Sequence, residues 1–482
     1  MMIFKRKLFF LVFFIFSSLV FSQIGSMQTM QIDPELPEET LSFEEYLAYV
    51  KQQHPLMKQA NLRLNSGEAN LLKARGGFDP KIEIDFDRKK FKGTKYYDQL
   101  NATFKIPTWY GIEFNGNFEE NTGDFLNPSL SVPIDGLYSA GVSFSLAQGL
   151  LINDRMAMLK KAHFFKEQTK AERDILVNDL LFEASKAYFE WLEATNEEKI
   201  YSNFLTNADT RFKGIKRSVE TGDKAAIDSV EAKITLVDRE LNLEAARLKR
   251  RKASLKVSNY LWLNDFPVEL QENVTPVIPD DTILKSSLSL ENITTNNVVK
   301  NHPKIKALDY KIKSLTVDRS LKMNKLLPKL DIQYNFLSTN YDQLNTFNTA
   351  NYKAFLNFSL PLFLRKERGD LKLAKIKVQD ANFDRLSSLL SIQNKIDAIN
   401  SEITSLNKQN ELINSIIKDY TTLVKAEERK FSLGDSSLFL INIREKSLID
   451  AQLKGNIINL KRLTSSASLF NALGIVPLES MN

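Results

Sequence analysis

Alternating apolar and polar residues predict four β-strands, at 80–86, 138–146, 328–337 and 352–360. Each has one apolar face and one polar face, a pattern with a period of two residues. About ten such residues suit a membrane-spanning strand, but a half-buried strand of a soluble sheet alternates in the same way.

A further hairpin is predicted in the first half of the chain. Residues 97–106 and 110–119 flank Pro107, and the second half has no counterpart. The alternation does not decide whether this hairpin, 97–119, joins the other strands or projects above them.

Long stretches without proline predict helices far longer than those of a globular core. They run from about 154 to 221 and from about 369 to 432. At about 1.5 Å per residue, some 65 residues make a helix on the order of 100 Å long. Apolar residues recur at spacings of three and four, which predicts coiled-coil packing along these helices and along the returning helices. These heptad positions lie in 177–194, 227–241, 392–420 and 453–463.

The chain contains one structural unit twice. His54 and His302 each precede a proline and are 248 positions apart (302 − 54), the same offset that separates Pro80 from Pro328. Phe-Ser-Leu at 144–146 also recurs at 358–360. Such duplication constrains the architecture before any site is considered.

The duplication divides the chain into five parts. A first repeat, 23–262, comprises a helix, strands within 80–147 and a helical hairpin at 154–262. A second repeat, 290–474, comprises a helix, strands within 328–360 and a hairpin at 366–472. The remaining parts are a signal peptide at 1–22, a connector at 263–289 and a tail at 475–482.

The first 22 residues are typical of a secretory signal. Basic residues at 5–7 precede an apolar run at 8–20, and cleavage is expected before Gln23. The chain has no Cys, so it can have neither disulfides nor an acyl anchor on an N-terminal Cys. Removing Lys5, Arg6 and Lys7 lowers the formal charge from +6 to +3.

Neither an enzyme nor a nucleic-acid binder is expected. No HExxH, GxSxG or Walker-type loop is present. We therefore predict no catalytic, cofactor-binding or metal-binding residues. His54 and His302 are interpreted as helix-bend residues before proline rather than metal ligands. The basic run 249–252 is interpreted as a solvated helix face.

Four strands cannot close a barrel, because single-chain membrane barrels need about eight, and an open edge is forbidden in lipid. Strands in a membrane would therefore come from several chains. Three chains with four strands each would give twelve strands, continued by a tube of helices.

The chain resembles the TolC-type outer membrane efflux proteins. The resemblance is carried by the two His-Pro segments, the two Pro-Lys strand openings, the Phe-Ser-Leu strand ends and two Gly-centred helical turns, the second at 431–438. It implies an α+β membrane protein: a homotrimer with a 12-stranded outer-membrane β-barrel continued by a periplasmic coiled-coil α-barrel. It also implies outer-membrane lipid, a periplasmic adaptor (membrane fusion protein) and an inner-membrane pump as partners.

The resemblance places an entrance at the two helical turns, where Gly222 and Gly434 reverse the chain. In the family, acidic residues six and nine positions after this Gly line the periplasmic entrance. Asp228 and Glu231 match that spacing, although ordinary polar helix surface is an equally good interpretation of them. Leu440 and Ile443 occupy the equivalent positions of the second repeat. A single acidic ring is thus expected, with apolar contacts closing the tip.

The predicted function is a passive outer-membrane exit duct of a tripartite efflux or type I secretion system, reaching into the periplasm and carrying small molecules or proteins outward. The alternative is a periplasmic structural or adaptor coiled coil with a small soluble sheet and no barrel. Two hairpins and duplicated strands favour the duct. The sequence identifies neither the exported substrate nor the cognate pump and adaptor.

Overall fold

The computed structural model describes residues 40–290, 299–346 and 348–476. The predicted signal peptide, 1–22, and most of the predicted tail lie outside these ranges. The helices of eight residues or more, and one shorter helix, are α1 (Phe43–Gln53), α2 (Pro55–Arg75), α3 (Asp154–Glu220), α4 (Ala226–Ser258), α5 (Asp281–Ser287), α6 (Pro303–Asn324), α7 (Arg365–Ser432) and α8 (Leu438–Leu473). The strands are β1 (Thr40–Leu41), β2 (Lys81–Phe91), β3 (Thr94–Pro107), β4 (Ile112–Thr122), β5 (Leu137–Ser145), β6 (Trp262–Leu263), β7 (Phe266–Pro267), β8 (Thr275–Pro276), β9 (Lys329–Ser338) and β10 (Tyr352–Ser359).

Six of these strands form one antiparallel sheet in the order β2-β3-β4-β5-β9-β10. The four strands predicted from the duplication are all present, and the hairpin at 97–119, whose place the alternation left open, joins them in the same sheet. The extra hairpin, β3 and β4, lies inside the sheet, because β3 pairs with β2 and β4 pairs with β5 along almost their whole lengths. The hairpin separates the two strands of the first repeat, whereas β9 and β10 of the second repeat are direct neighbours.

The sheet has one apolar and one polar face, and both continue across all six strands. The strand registers place the apolar face on Ile84, Ala102, Phe118, Val142, Tyr334 and Ala354, among others. They place the polar face on Asp85, Asn101, Asn117, Ser143, Gln333 and Asn357, among others. Apolar residues at both edges are open to solvent: Ile82 is 73% exposed and Leu356 is 66% exposed.

The helices form a layer with α3 in the middle and two different edges. The 67-residue α3 and the 68-residue α7 are the outgoing helices of two hairpins, and α4 and α8 return from them. α3 packs against α2 and α4 on one side and against α6 and α8 on the other, and α7 packs against α6 and α8. Thus α2 and α4 form one edge, and α7 forms the opposite edge. In the described ranges, no helix combines the length and apolar character needed to cross a bilayer.

The heptad positions differ in what covers them. Those of 177–194 on α3 are buried, and Trp191 is the largest fully buried side chain. In the same core, the Tyr188 hydroxyl lies 2.8 Å from the carbonyl oxygens of both Leu41 and Val277, and accepts from the Val277 N–H at 3.0 Å. This contact ties β1 and the connector to α3. By contrast, the predicted seam of 227–241 on α4 is exposed in the single chain.

His54 and His302 play the same structural role in the two repeats. Each caps the N-terminus of a helix whose first residue is proline: Nδ1 of His54 accepts from the Leu56 N–H, and Nδ1 of His302 accepts from the Lys304 N–H, both at 3.1 Å. The His302 ring is also hydrogen-bonded to the backbone of Ala472, at the end of α8. The prediction of helix-bend residues was thus too general, because each imidazole joins the start of one helix to the end of another.

Burial, reinforced by Lys304 and Lys395, lowers the pKa of His302 to about 4, from about 6.5 in an unfolded chain. Below about pH 6.5 the unfolded chain binds a proton that the folded chain does not. Folding should therefore lose stability as the pH falls from about 6.5 to about 4, by at most about 3.5 kcal/mol (about 2.5 pH units at about 1.4 kcal/mol each).

We expect His302→Asn to flatten this pH dependence, because asparagine can cap the helix but does not titrate. Thermal unfolding between pH 4 and pH 7 measures it. The matched control is His163→Asn, a histidine exposed on α3, which should leave the pH profile unchanged. An equally steep profile in His302→Asn would contradict the assignment.

Candidate functional site

The two helical hairpins reverse direction at glycines with positive φ. Gly222, between α3 and α4, has φ +82°, and Gly434, between α7 and α8, has φ +86°. A Cβ at either position would meet nothing within 4 Å. Glycine is required here by backbone conformation and not by crowding, because a side chain makes the left-handed region costly.

The same hydrogen bonds form both turns. The N–H of Gly222 donates to Val219, and that of Asp223 donates to Ser218, at 3.1 and 2.8 Å. In the second repeat, the N–H of Gly434 donates to the carbonyl three residues before it and the next N–H to the carbonyl five residues before it, at 3.1 and 2.9 Å. This pattern is the Schellman motif, which satisfies the last carbonyls of a helix.

The two tips pack against each other. Ile215, Ala232 and Leu438 form a small buried cluster between the hairpins. The Lys224 ammonium lies 4.5 Å from the centre of the Phe431 ring. The tips of the two repeats therefore form one unit within the chain.

The predicted entrance residues lie at this unit, in different environments. Asp228 is half-buried and makes no ion pair among the described residues. Glu231 is already engaged, since its Oε1 accepts from Nδ2 of Asn442 on α8 at 3.1 Å. Leu440 and Ile443 are 39% and 41% exposed. Of the two acids, Asp228 is the one whose carboxylate makes no hydrogen bond or ion pair among the described residues.

A buried ion pair just behind the tips was not predicted. Glu445 on α8 is fully buried and binds Arg211 on α3 through both carboxylate oxygens, at 2.6 and 3.1 Å. Glu428 on α7 lies 3.6 Å from the same guanidinium. Arg211 and Glu445 are 234 positions apart, so no local pattern reveals the pair. It holds the hairpin of the first repeat to that of the second.

The basic run 249–252 is largely neutralised by acids of neighbouring segments. Lys249 binds Glu193 and Glu197 on α3, and Arg250 binds Glu198 at 2.6 Å. The interpretation as a solvated face is thus incomplete, because these side chains join α4 to α3. Across the described part of the chain, no three His, Cys, Asp or Glu side chains are placed to hold a metal ion.

Comparison with known proteins identifies the class to which this fold belongs. Residues 295–475 match the model of a family described as outer membrane efflux protein. Among solved structures, the outer membrane channel CmeC of Campylobacter jejuni is 13% identical, with a TM-score of 0.64 over 89% of this chain and 85% of the channel. The open state of the outer membrane channel MtrE of Neisseria gonorrhoeae is 14% identical, with a TM-score of 0.64 over 94% and 96%.

A third solved structure, the outer membrane protein VceC of Vibrio cholerae, is 12% identical, with a TM-score of 0.62 over 89% of this chain and 95% of VceC. No curated protein matches the sequence. The predicted resemblance to the TolC-type outer membrane efflux proteins is confirmed: the second repeat carries the family's sequence pattern, and nearly the whole chain carries the channel fold. An outer-membrane efflux function and location are those of this family.

We expect Glu445→Gln to loosen the contact between the hairpins, because it leaves the Arg211 guanidinium buried without its charged partner. Breaking a buried ion pair from one side typically costs about 3–5 kcal/mol. Hydrogen exchange of the backbone amides at 205–215 and 440–450 should accelerate in this variant.

The matched control is Glu428→Gln, which removes the same charge from a side chain that is 42% exposed and 3.6 Å from Arg211. Exposed pairs are worth about 0–1 kcal/mol, so this variant should exchange almost like the parent. Equal acceleration in both variants would mean that the Arg211–Glu445 pair has no special role.

Proposed function

We propose that this chain assembles with copies of itself into a passive outer-membrane exit duct for efflux. The observation that carries the proposal is that one chain leaves two kinds of edge open: the edges of a two-faced sheet and the apolar edges of the helical layer. A strand of a second copy can pair with each sheet edge, and a helix of a second copy can cover each apolar helical edge.

The helical edges carry apolar side chains at coiled-coil spacing. On α4, the outer seam is 51–69% exposed and consists of Ile227, Val230, Ile234, Val237, Leu241 and Leu248. On the opposite edge, the exposed apolar residues of α7 are Leu373, Ile376, Phe383, Leu386, Leu390, Leu412 and Ile416. Two different surfaces on opposite edges fit a head-to-tail interface, which forms a ring when the rotation between successive copies closes.

The sheet edges fit the same arrangement. β2 and β10 are the outermost strands and run in opposite directions, because five successive antiparallel pairings separate them. A neighbour's β2 beside β10 would therefore be antiparallel, as in closed membrane barrels. β2 follows α2 and β10 precedes α7, so the sheet and the helical layer would close at the same two edges.

The proposed ring has three copies. A single chain with six strands has too few to form a membrane barrel. Three is the number implied by the family resemblance. Two solved structures of this fold are named as outer membrane channels. The helices would continue the barrel as a tube in the periplasm. A periplasmic adaptor and an inner-membrane pump are the partners that we propose from the resemblance.

The rival function, a periplasmic coiled coil with a soluble sheet, fits the sheet poorly. Its apolar face bears exposed Ile82, Ile84 and Phe358, at 73, 66 and 63%. A soluble sheet would need a covering layer on the apolar face, whereas lipid covers it in a membrane barrel. The sheet therefore favours the membrane.

Leu241 and Ile416 should face each other between copies. They lie at similar heights, 19 and 18 residues from the turn glycines (241 − 222 and 434 − 416). Since the chain has no Cys, the double variant Leu241→Cys with Ile416→Cys should form a covalent trimer under mild oxidation, detected on a denaturing gel.

The control is Leu241→Cys with Leu373→Cys, in which the second thiol lies 43 residues higher on α7 (416 − 373), a separation of about 65 Å at about 1.5 Å per residue. It should not cross-link. Cross-linking of both pairs, or of neither in an assembled sample, would contradict the proposed interface.

Asp228 should attract cations at the entrance, because threefold symmetry brings three copies of its carboxylate around one axis, and rings of acids favour cations. We expect Asp228→Ala to lower the cation selectivity of the channel in planar bilayers. Glu240→Ala removes the same charge 12 residues further along α4, and should change selectivity little. Unchanged selectivity in an assembled Asp228→Ala channel would place this side chain on the outer surface.

A further inference from the structure

The hairpin of β3 and β4 is an integral part of the sheet. From Lys81–Lys105 to Phe91–Thr94, β2 pairs with β3, and from Ile112–Phe144 to Glu119–Leu137, β4 pairs with β5. Among the described strands, β3 of the hairpin is the only partner of β2, and β4 is one of the two partners of β5. Unpaired strand edges are costly in lipid, so the hairpin belongs to any barrel that this sheet forms.

The hairpin also has the two faces that a membrane barrel requires. On its apolar face are Leu100, Ala102, Phe104, Phe114 and Phe118, in register with the apolar residues of the neighbouring strands. On its polar face are Asn101, Thr103, Lys105, Asn115, Asn117 and Glu119. A hairpin projecting into water above a barrel would have no need of a continuous apolar face.

The polar face of the hairpin is bonded to the rest of the sheet. Asn115 Nδ2 donates to Asn335 Oδ1 of β9 at 3.0 Å, across the intervening β5. Between them lies Gly141, where an added Cβ would collide with the Asn335 side chain and the Tyr334 carbonyl oxygen. Glycine at this position is therefore what lets the hairpin reach the second repeat.

The turn of the hairpin is anchored on the helices. The Trp109 ring stacks on Phe78 with centroids 5.6 Å apart, and the Trp109 carbonyl accepts from Asn153 Nδ2 at 3.1 Å. The ion pair between Glu113 on β4 and Arg155 on α3 adds a contact of 2.5 Å. The hairpin is thus fixed at its helical end as well as along both sides.

We propose that the assembled barrel has eighteen strands, six from each of three chains, and that it encloses an aqueous lumen. This proposal rests on the proposed function. Barrel diameter grows roughly linearly with strand number, and barrels of about 16–18 strands leave an aqueous channel. The ligand class is accordingly hydrated solutes, which the polar face would admit without a specific site.

The second repeat supplies the design of a matched variant. Deleting residues 93–122 joins Lys92 to Gly123 and connects β2 directly to the loop before β5, as β9 connects to β10. The apolar faces of β2 and β5 remain on the same side. This variant should form a barrel of twelve strands.

Single cysteines test whether the hairpin is in the membrane. In lipid vesicles, a fluorophore on Phe104→Cys of β3 should be quenched by nitroxide-bearing lipid, and one on Thr103→Cys by a water-soluble quencher. Val142→Cys and Ser143→Cys provide the same comparison on β5, which does not belong to the hairpin.

Electron cryo-microscopy of the parent and of the deletion variant should show a barrel diameter about one third smaller in the variant.

The outcomes separate this proposal from the proposed function. Eighteen strands are supported if lipid quenches one position and the water-soluble quencher the next on both β3 and β5, and if the deletion variant has the narrower barrel. This pattern of quenching is called alternation. Alternation on β5 while both β3 positions report water would overturn the eighteen-stranded barrel and leave the duct intact. No alternation on either strand would overturn the duct itself, and the larger barrel with it. An unchanged diameter in an assembled deletion variant would also overturn the proposal.

Discussion

A β-sheet in hydrocarbon cannot leave backbone N–H and C=O groups unpaired at its edges, and the rest of this structure depends on that constraint. The six-stranded sheet has an apolar face suited to lipid and two open edges, β2 and β10. One chain cannot satisfy both edges. Assembly with other copies is therefore part of the proposed fold and not an addition to it.

The duplicated architecture lets the same two edges close in the sheet and in the helices. α2 and β2 are consecutive, as are β10 and α7, so the two open strand edges adjoin the helices at the two edges of the helical layer. His54 and His302 fix each repeat internally by joining the start of α2 or α6 to the end of a returning helix. The tips are joined in turn by the buried contact of Arg211 with Glu445. These contacts hold the two repeats together, and with them the two edges that they carry.

Much of the fold could be predicted from local patterns. Alternation identified the four duplicated strands, heptads identified the long helices, and Gly222 and Gly434 were expected where the structure has the helical turns. The place of the hairpin could not be predicted, because alternation at 97–106 describes the faces of a strand but not the strands with which it pairs. The exposed seam at 227–241 was ambiguous for a similar reason: a heptad requires a partner but does not say whether that partner is in the same chain.

The site was predictable only in part. Spacing from the turn glycine placed Asp228 and Glu231 at the tip, but not the bond between Glu231 and Asn442, 211 positions away. The partners of Lys249 on α3 lie 52 and 56 positions before it, which is why the basic run was interpreted as solvated. Ion pairs between distant segments have no periodicity and are set by packing alone. The entrance role of Asp228 and Leu440 stays a prediction.

The mass of the detergent-solubilised protein tests the central claim most directly. Native mass spectrometry of protein extracted from the outer membrane should give a single species with the mass of three processed chains, because the sheet edges and the helical seams are then all covered. A stable single chain whose six strands remain fully formed, shown by protected amides in β2 and β10, would contradict the account.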